Sequence, residues 1–167
     1  MKIGLLSDTH CHIDSRIYEY FSQCDEIWHA GDIGNLDTVN QLQQFKPLRA
    51  VYGNIDGYSI RQLFPQHLHF TVEGMRVWIT HIGGFPGRYD REVYPLLVKN
   101  PPDIFICGHS HILKVMYDEK LKLLHINPGA AGKYGFHTIQ TLIRFEIKDK
   151  KTDNLEVIEL SKDFPTN

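Results

Sequence analysis

The sequence has few cysteines. There are three, Cys11, Cys24 and Cys107, with no Cys-x-x-Cys pair. An odd count without paired spacing argues against a disulfide framework and fits reduced thiols in a cytoplasmic protein. No apolar run approaches the roughly 20 residues of a membrane span, so no membrane segment is expected. The opening MKIGLLSDTH is a short apolar stretch broken at Asp8 and lacks the long hydrophobic region of a secretory leader. Lys/Arg runs are missing too, and the formal net charge is −2 with histidine neutral. Specific nucleic-acid binding, which usually needs a basic stripe, is therefore not expected. An acidic substrate remains open, because bound metal ions can supply local positive charge.

What is present points to a folded enzyme-like domain. Of 167 residues, 42% are hydrophobic and 11% aromatic, which argues against disorder and is enough for one sizeable core. A single domain over residues 1–167 is the expectation, and homo-oligomerisation stays open. Apolar runs at Lys2–Leu6, 26–30 and 48–52 alternate with helical spacing at 14–23 and Leu36–Phe45. Strand, loop, helix, strand repeats twice, the pattern of βαβ units and a largely parallel sheet. Then His67–Val72 and Met75–Thr80 flank Glu73-Gly74, a hairpin signal. Residues 88–99 read as a helix interrupted by Pro95, and 103–107 as a strand. Residues 112–117, 121–126, 138–147 and 155–160 also read as strands. The fold class is α/β with a β-rich close.

Five of the strand-like runs stop on polar groups able to bind metal. Asp8 and His10 follow the first, Asp32 the second and Asn54 the third. His81 follows the hairpin, and His109 and His111 follow the strand at 103–107. In open α/β sheets the crevice beyond the carboxyl ends of the strands is where ligands bind. Carboxylate, amide oxygen and imidazole together suit borderline divalent ions. Seven such groups are too many for one ion and about right for two that share a carboxylate. Any one of them alone reads as a turn or cap residue; the ordered set does not. Glycines at Gly31-Asp32, Gly53-Asn54 and Gly108-His109 allow tight bends.

These residues are recognisable as a group. Ser7-Asp8-Thr9-His10, Gly31-Asp32, Gly53-Asn54-x-Asp56, Thr80-His81 and Gly108-His109-Ser110-His111 resemble the calcineurin-like metallophosphoesterase superfamily, in particular its small single-domain phosphodiesterase branch. Asn127-Pro128-Gly129 resembles that branch as well. The resemblance implies a four-layer β-sandwich flanked by α-helices. It also implies hydrolysis of a small phosphate ester, a diester before a monoester, by in-line attack of a metal-bridging hydroxide. Carried over by position, Asp8, His10, Asp32 and His111 would hold one divalent ion and Asp32, Asn54, His81 and His109 the other. Manganese is the first expectation, with Ni, Zn, Fe or Mg as alternatives. Asp32, Asn54 and His109 would position hydroxide and phosphate, and Asp56 would brace the Asn54 loop. Larger relatives place a histidine after Gly-Asn; here Ile55 stands there. The acid would then be a metal-bound water, or His12 or His137.

Other residues read more plainly. His29 reads as a core histidine, His67 and His69 as the wet face of a strand, His125 as a possible support, and Cys107 as a buried thiol. Arg88 and Tyr89, with Arg91, follow the Gly-rich stretch 83–87 and form a candidate substrate loop in which an arginine could clamp phosphate. Two alternatives accompany the main reading. One is a protein-binding scaffold of the same fold, as in membrane-trafficking coats. The other is an amidohydrolase-type metal-dependent deoxyribonuclease, suggested by His10-x-His12 and Asp14. That second fold is a TIM barrel of about 250 residues, longer than this chain.

Overall fold

The computed structural model describes residues 1–161; the last six residues of the expected domain, 162–167, lie outside the described residues. The chain runs β1 (Lys2–Leu6), α1 (Arg16–Tyr20), β2 (Glu26–His29), α2 (Leu36–Phe45), β3 (Leu48–Ala50) and α3 (Tyr58–Leu63). It continues through β4 (His67–Val72), β5 (Met75–Thr80), β6 (Gly84–Phe85), β7 (Arg88–Tyr89), α4 (Tyr94–Lys99) and β8 (Ile104–Ile106). It closes with β9 (Leu113–Asp118), β10 (Leu123–Pro128), β11 (Ile139–Lys148) and β12 (Lys151–Ser161). No helix among the described residues is long and apolar enough to cross a membrane.

Two five-stranded sheets form, in the orders β12-β11-β1-β2-β3 and β4-β5-β8-β10-β9. In the first, β1, β2 and β3 are parallel neighbours, as the βαβ pattern predicts, with Leu5 level with Trp28. The remaining pairings correct the expectation of a largely parallel sheet. β11 joins β1 antiparallel, and the second sheet holds parallel β5-β8-β10 between antiparallel partners. The consecutive pairs β4–β5, β9–β10 and β11–β12 are joined by short turns rather than crossover helices, so each pairs antiparallel.

Alternation along the strands builds the layers. In β1, Ile3 and Leu5 enter the core between the sheets, whereas Leu6 faces α1 and α2 with Ile17, Phe21 and Leu42. In β8, Ile104 and Ile106 join that central core, while Phe105 packs outward with Trp78, Val93 and Leu97. Trp28 ties the sheets together, edge-on to Phe70 of β4 and Phe145 of β11, with ring centroids 5.0 and 5.7 Å away. The result is the sandwich with helices outside.

Local departures have physical reasons. The helix expected over 88–99 is instead a short β6–β7 hairpin followed by α4. Pro95 stands in the first turn of α4, where a missing N–H costs nothing. The helix at 14–23 contracts to Arg16–Tyr20. α3 was not expected; its short apolar content, with only Ile60 buried, gives little periodic signal. On β4, His69 is exposed as expected, but His67 is half-buried against Trp78.

Candidate metal centre

The carboxyl ends of β1, β2, β5 and β8 deliver their following loops to one place. Asp8, His10 and His111 form one group and Asp32, His81 and His109 another; within each, one ligand atom per residue lies within 4.8 Å of the others. The groups touch. His10 Nε2 is 3.9 Å from both Asp8 Oδ1 and Asp32 Oδ2. His81 Nε2 is 3.3 Å from Asp32 Oδ1 and 4.0 Å from Asp8 Oδ1. Asp32 therefore lies where the two groups meet. Asn54 faces a cavity of 350 Å³ that it shares with His81.

The backbone is forced to make this cluster. Asp8, His10, Asp32, His109 and His111 all have positive φ, between 46° and 68°. A side-chain-bearing residue in this region costs about 1–3 kcal/mol and persists only where surrounding structure holds it. Here the hold is explicit. Asp8 N–H donates to Gly31 O, His10 N–H to Asp32 O and Cys11 N–H to Ile33 O, at 2.9 to 3.1 Å, zipping the two loops together. Gly108 N–H donates to His81 O, and His109 N–H to Asp8 Oδ2 at 3.1 Å. Gly53 and Gly108 are needed for clearance rather than for φ. A Cβ on Gly53 would overlap Asp32 Oδ1, and one on Gly108 would overlap Ser7 Oγ.

Supporting groups fix the side chains. Asp56, 2% exposed, accepts N–H bonds from Ile33 (3.1 Å), Gly34 (2.7 Å) and Gly53 (2.8 Å), so it braces the Asp32 loop as well as the Asn54 loop. Ile55 N–H donates to Asp32 Oδ1. Arg61 ties down the same segment through Asp56 O and Asn54 O. His81 Nδ1 lies 2.8 Å from Ala30 O. A carbonyl only accepts, so Nδ1 carries the proton, and in the neutral ring the bare Nε2 faces the carboxylates.

A second chain of imidazoles works the same way. His137 Nε2 is 2.9 Å from Gly132 O, and its Nδ1 is 3.3 Å from His111 Nδ1. With His137 donating to the carbonyl, its Nδ1 accepts from His111, which leaves His111 Nε2 bare and 3.2 Å from Asp8 Oδ1. Both His137 nitrogens are thus engaged in this chain of contacts. Asn127 donates to Gly108 O and Ser110 Oγ and pins the 108–111 loop. His29 is fully buried. Its Nδ1 accepts Gly31 N–H, and its Nε2 bonds Thr9 Oγ1, which donates to Ile33 O. No local pattern marks the contact between His111 and His137, whereas Asn127 is marked by Asn127-Pro128-Gly129.

The donor set fits divalent cations on a local observation. Asp8 Oδ1 and His81 Nε2 are buried with no hydrogen-bond partner. Five other buried side-chain atoms, Trp78 Nε1 and Gln140 Oε1 among them, are also unpaired, but Asp8 Oδ1 and His81 Nε2 lie 4.0 Å apart, and a carboxylate oxygen and an imidazole nitrogen so placed suit a cation. His10 Nε2 and His111 Nε2 also face each other at 3.2 Å. Burial works against ionisation of Asp32, but the His81 ring in its protonated form and the Ile55 N–H outweigh it and hold its carboxyl below the usual range. Burial would likewise lower the pKa of His81, yet Asp32 and Asp8 outweigh it and raise it. Nitrogen and oxygen donors without thiolate suit Mn, Fe, Zn or Ni.

Other candidates fall outside the cluster. His12 belongs to neither group, and Asp14 beyond it is held by the Arg16 guanidinium at 2.7 Å. The His-x-His-x-Asp arrangement of the nuclease alternative does not assemble. His125 turns to Gly84 O, 2.9 Å away. Cys107 is buried, and burial pushes its thiol up to about 12. Tyr89 Oη donates to Asp118 Oδ2 at 2.7 Å, so its hydroxyl is committed to that carboxylate. Ile55 is about half exposed beside Asn54.

Comparison with known proteins gives a consistent family. Residues 1–150 match the model of the calcineurin-like phosphoesterase superfamily domain. A probable metallophosphoesterase of Methanothermobacter thermautotrophicus is 31% identical over 136 residues, covering 78% of this chain and 77% of the relative. A phosphodiesterase of Methanocaldococcus jannaschii is 26% identical over 160 residues, covering 85% of this chain and 92% of the relative. Among solved structures, an archaeal phosphodiesterase superimposes with a TM-score of 0.75 at 23% identity, covering 96% of this chain and 100% of that one. Zinc-bound Vps29 of Entamoeba histolytica does so with a TM-score of 0.74 at 16% identity, covering 96% and 99%. At these identities the structural matches speak for the fold.

Proposed function

The chain belongs to the calcineurin-like phosphoesterase superfamily, and on that premise we propose that it hydrolyses phosphodiesters at a centre for two divalent cations. The observation that carries the reading is the pair of three-residue groups meeting at Asp32, with Asp8 Oδ1 and His81 Nε2 buried and unpaired inside them.

Asp8, His10, Asp32 and His111 would hold one cation and Asp32, Asn54, His81 and His109 the other, manganese being the first candidate. Two such ions supply Lewis acidity at a phosphoryl oxygen and lower the pKa of bound water. The chain's own residues do the positioning. Ala30 O keeps the His81 ring in one tautomer. Gly132 O, acting through His137, does the same for His111. Asp56 and Ile55 N–H hold Asp32 between the groups. Orientation of this kind supplies a large part of an enzyme's rate, because the ligands need not rearrange during reaction.

A diester is favoured over a monoester by the shape of the surroundings. Two clefts open beside the cluster, one of 350 Å³ past Asn54 and His81, the other of 360 Å³ past His109 and Ser110. A diester has two substituents to place; a monoester has one. Purified protein loaded with Mn²⁺, Ni²⁺ or Zn²⁺ is expected to cleave bis-p-nitrophenyl phosphate faster than p-nitrophenyl phosphate. The likeness to Vps29 supports a second reading, a binding scaffold of this fold. Full metal loading with no turnover of either ester would favour it.

A further inference from the structure

Of the seven arginines, five are engaged. Arg16, Arg49, Arg76 and Arg144 each pair with a carboxylate at 2.6 to 3.2 Å, and Arg61 bonds backbone carbonyls. Arg88 and Arg91 have neither. Among the described residues neither guanidinium pairs with a carboxylate or stacks on an aromatic ring. Both sit where they can serve a ligand. They line the 360 Å³ cleft that reaches His109, and they also line a neighbouring cavity of 550 Å³ walled by Tyr94, Pro95, Lys120 and Leu121. The two spaces adjoin, with Arg88, Tyr89 and Arg91 lining both, and together they are termed the trench.

The acidic groups along this trench are already satisfied. Asp118 accepts Lys120 N–H, Leu121 N–H and the Tyr89 hydroxyl. Asp90 accepts Glu92 N–H and Val93 N–H. Lys120 adds a third cation, its Nζ 3.3 Å from Tyr94 Oη. The far cavity thus carries three cations, Arg88, Arg91 and Lys120, against one committed carboxylate, beside the stacked rings of Tyr89 and Tyr94. A diester phosphate carries one negative charge, which the metal site itself neutralises. Two further free guanidiniums, planar forks suited to bidentate phosphate contact, have nothing to bind on such a substrate.

We propose that this trench is a second anion subsite, and that the substrate is a phosphodiester whose alcohol arm is an apolar or aromatic body bearing a further phosphate. The proposal rests on the diesterase reading above for its first subsite and on Arg88 and Arg91 for its second. A matched pair of chromogenic diesters isolates the second phosphate: thymidine 5′-(p-nitrophenyl phosphate) with and without a 3′-phosphate. For the metal-loaded protein, kcat/KM is expected to be at least tenfold higher with the 3′-phosphate, mainly through KM. In Arg88→Gln/Arg91→Gln, two changes at exposed side chains, the ratio is expected to fall to about one. A ratio near one in the unaltered protein, or a ratio that survives in the variant, overturns the proposal. Calorimetric binding of adenosine 3′,5′-bisphosphate separates the two readings. If neither diester is turned over but this ligand binds at least tenfold more weakly to the variant, the subsite stands and the diesterase reading fails. If both proteins bind it equally, the subsite fails whatever the turnover.

Discussion

Replacing Asp56 by alanine should be among the most damaging single changes near the cluster that touch no proposed ligand. Its carboxylate accepts three backbone N–H bonds, and two of the donors, Ile33 and Gly53, are themselves buried. Alanine removes the acceptors and leaves the donors. A buried unsatisfied donor costs about 1–3 kcal/mol, and Gly34, half-buried, can recover water. The expected loss is therefore about 3–5 kcal/mol of folding stability, a large part of a typical margin of about 5–15 kcal/mol. Asp56→Asn keeps one oxygen for Ile33 and Gly53 but turns an amide N–H₂ toward the Gly34 N–H, for a loss of about 1–3 kcal/mol. Urea unfolding of the metal-free protein, followed by the fluorescence of Trp28 and Trp78, reads both values. An alanine variant within 1 kcal/mol of the unaltered protein, or no gap between alanine and asparagine, would refute the bracing role.

Four other outcomes follow from the geometry. His137→Ala should weaken metal binding by about ten- to a hundredfold, the usual effect of losing a ligand's hydrogen-bond partner, as read by competition with a metal-indicator dye; unchanged affinity would show that the His111 tautomer needs no support. Gly53→Ala should abolish metal loading, because the new Cβ collides with Asp32 Oδ1; a variant that still takes up two ions contradicts the clearance argument. Burial lowers the pKa of His29 to about 4, so in chelator the unfolded state takes up its proton first as pH falls below 6.5. His29 should then contribute a drop of about 2 kcal/mol between pH 7 and pH 5, and a curve no flatter in His29→Gln would exclude this residue as a cause. Asp32→Ala should lose most metal, whereas His12→Ala should keep it, and equal losses by elemental analysis would place His12 among the ligands.

The site was more legible in the sequence than its surroundings, because its signals are local. Gly31-Asp32, Gly53-Asn54 and Gly108-His109-Ser110-His111 each end a strand, and a parallel βαβ start gathers such ends at one edge. Asp56 was readable by its spacing from Asn54, although its reach to Ile33 and Gly34 spans more than 20 residues and left no trace in the pattern. The contact between His111 and His137 is equally non-local. Tyr89 and Arg88 lie in a two-residue strand too short to show a period, so the direction of the Tyr89 hydroxyl could not be foreseen. Pro95 was misleading for a different reason. The same residue breaks a helix in its interior and favours one at its start, and only the β6–β7 hairpin decides between them.

The central claim is a centre for two cations sharing Asp32. Its most direct test is the metal content of the purified protein, reconstituted with Mn²⁺ and freed of excess by gel filtration, beside Asp32→Asn prepared in parallel. The account predicts about two ions per chain in the unaltered protein and a loss of most of them in the variant. One ion or none in the unaltered protein, or the same content in both, would contradict it.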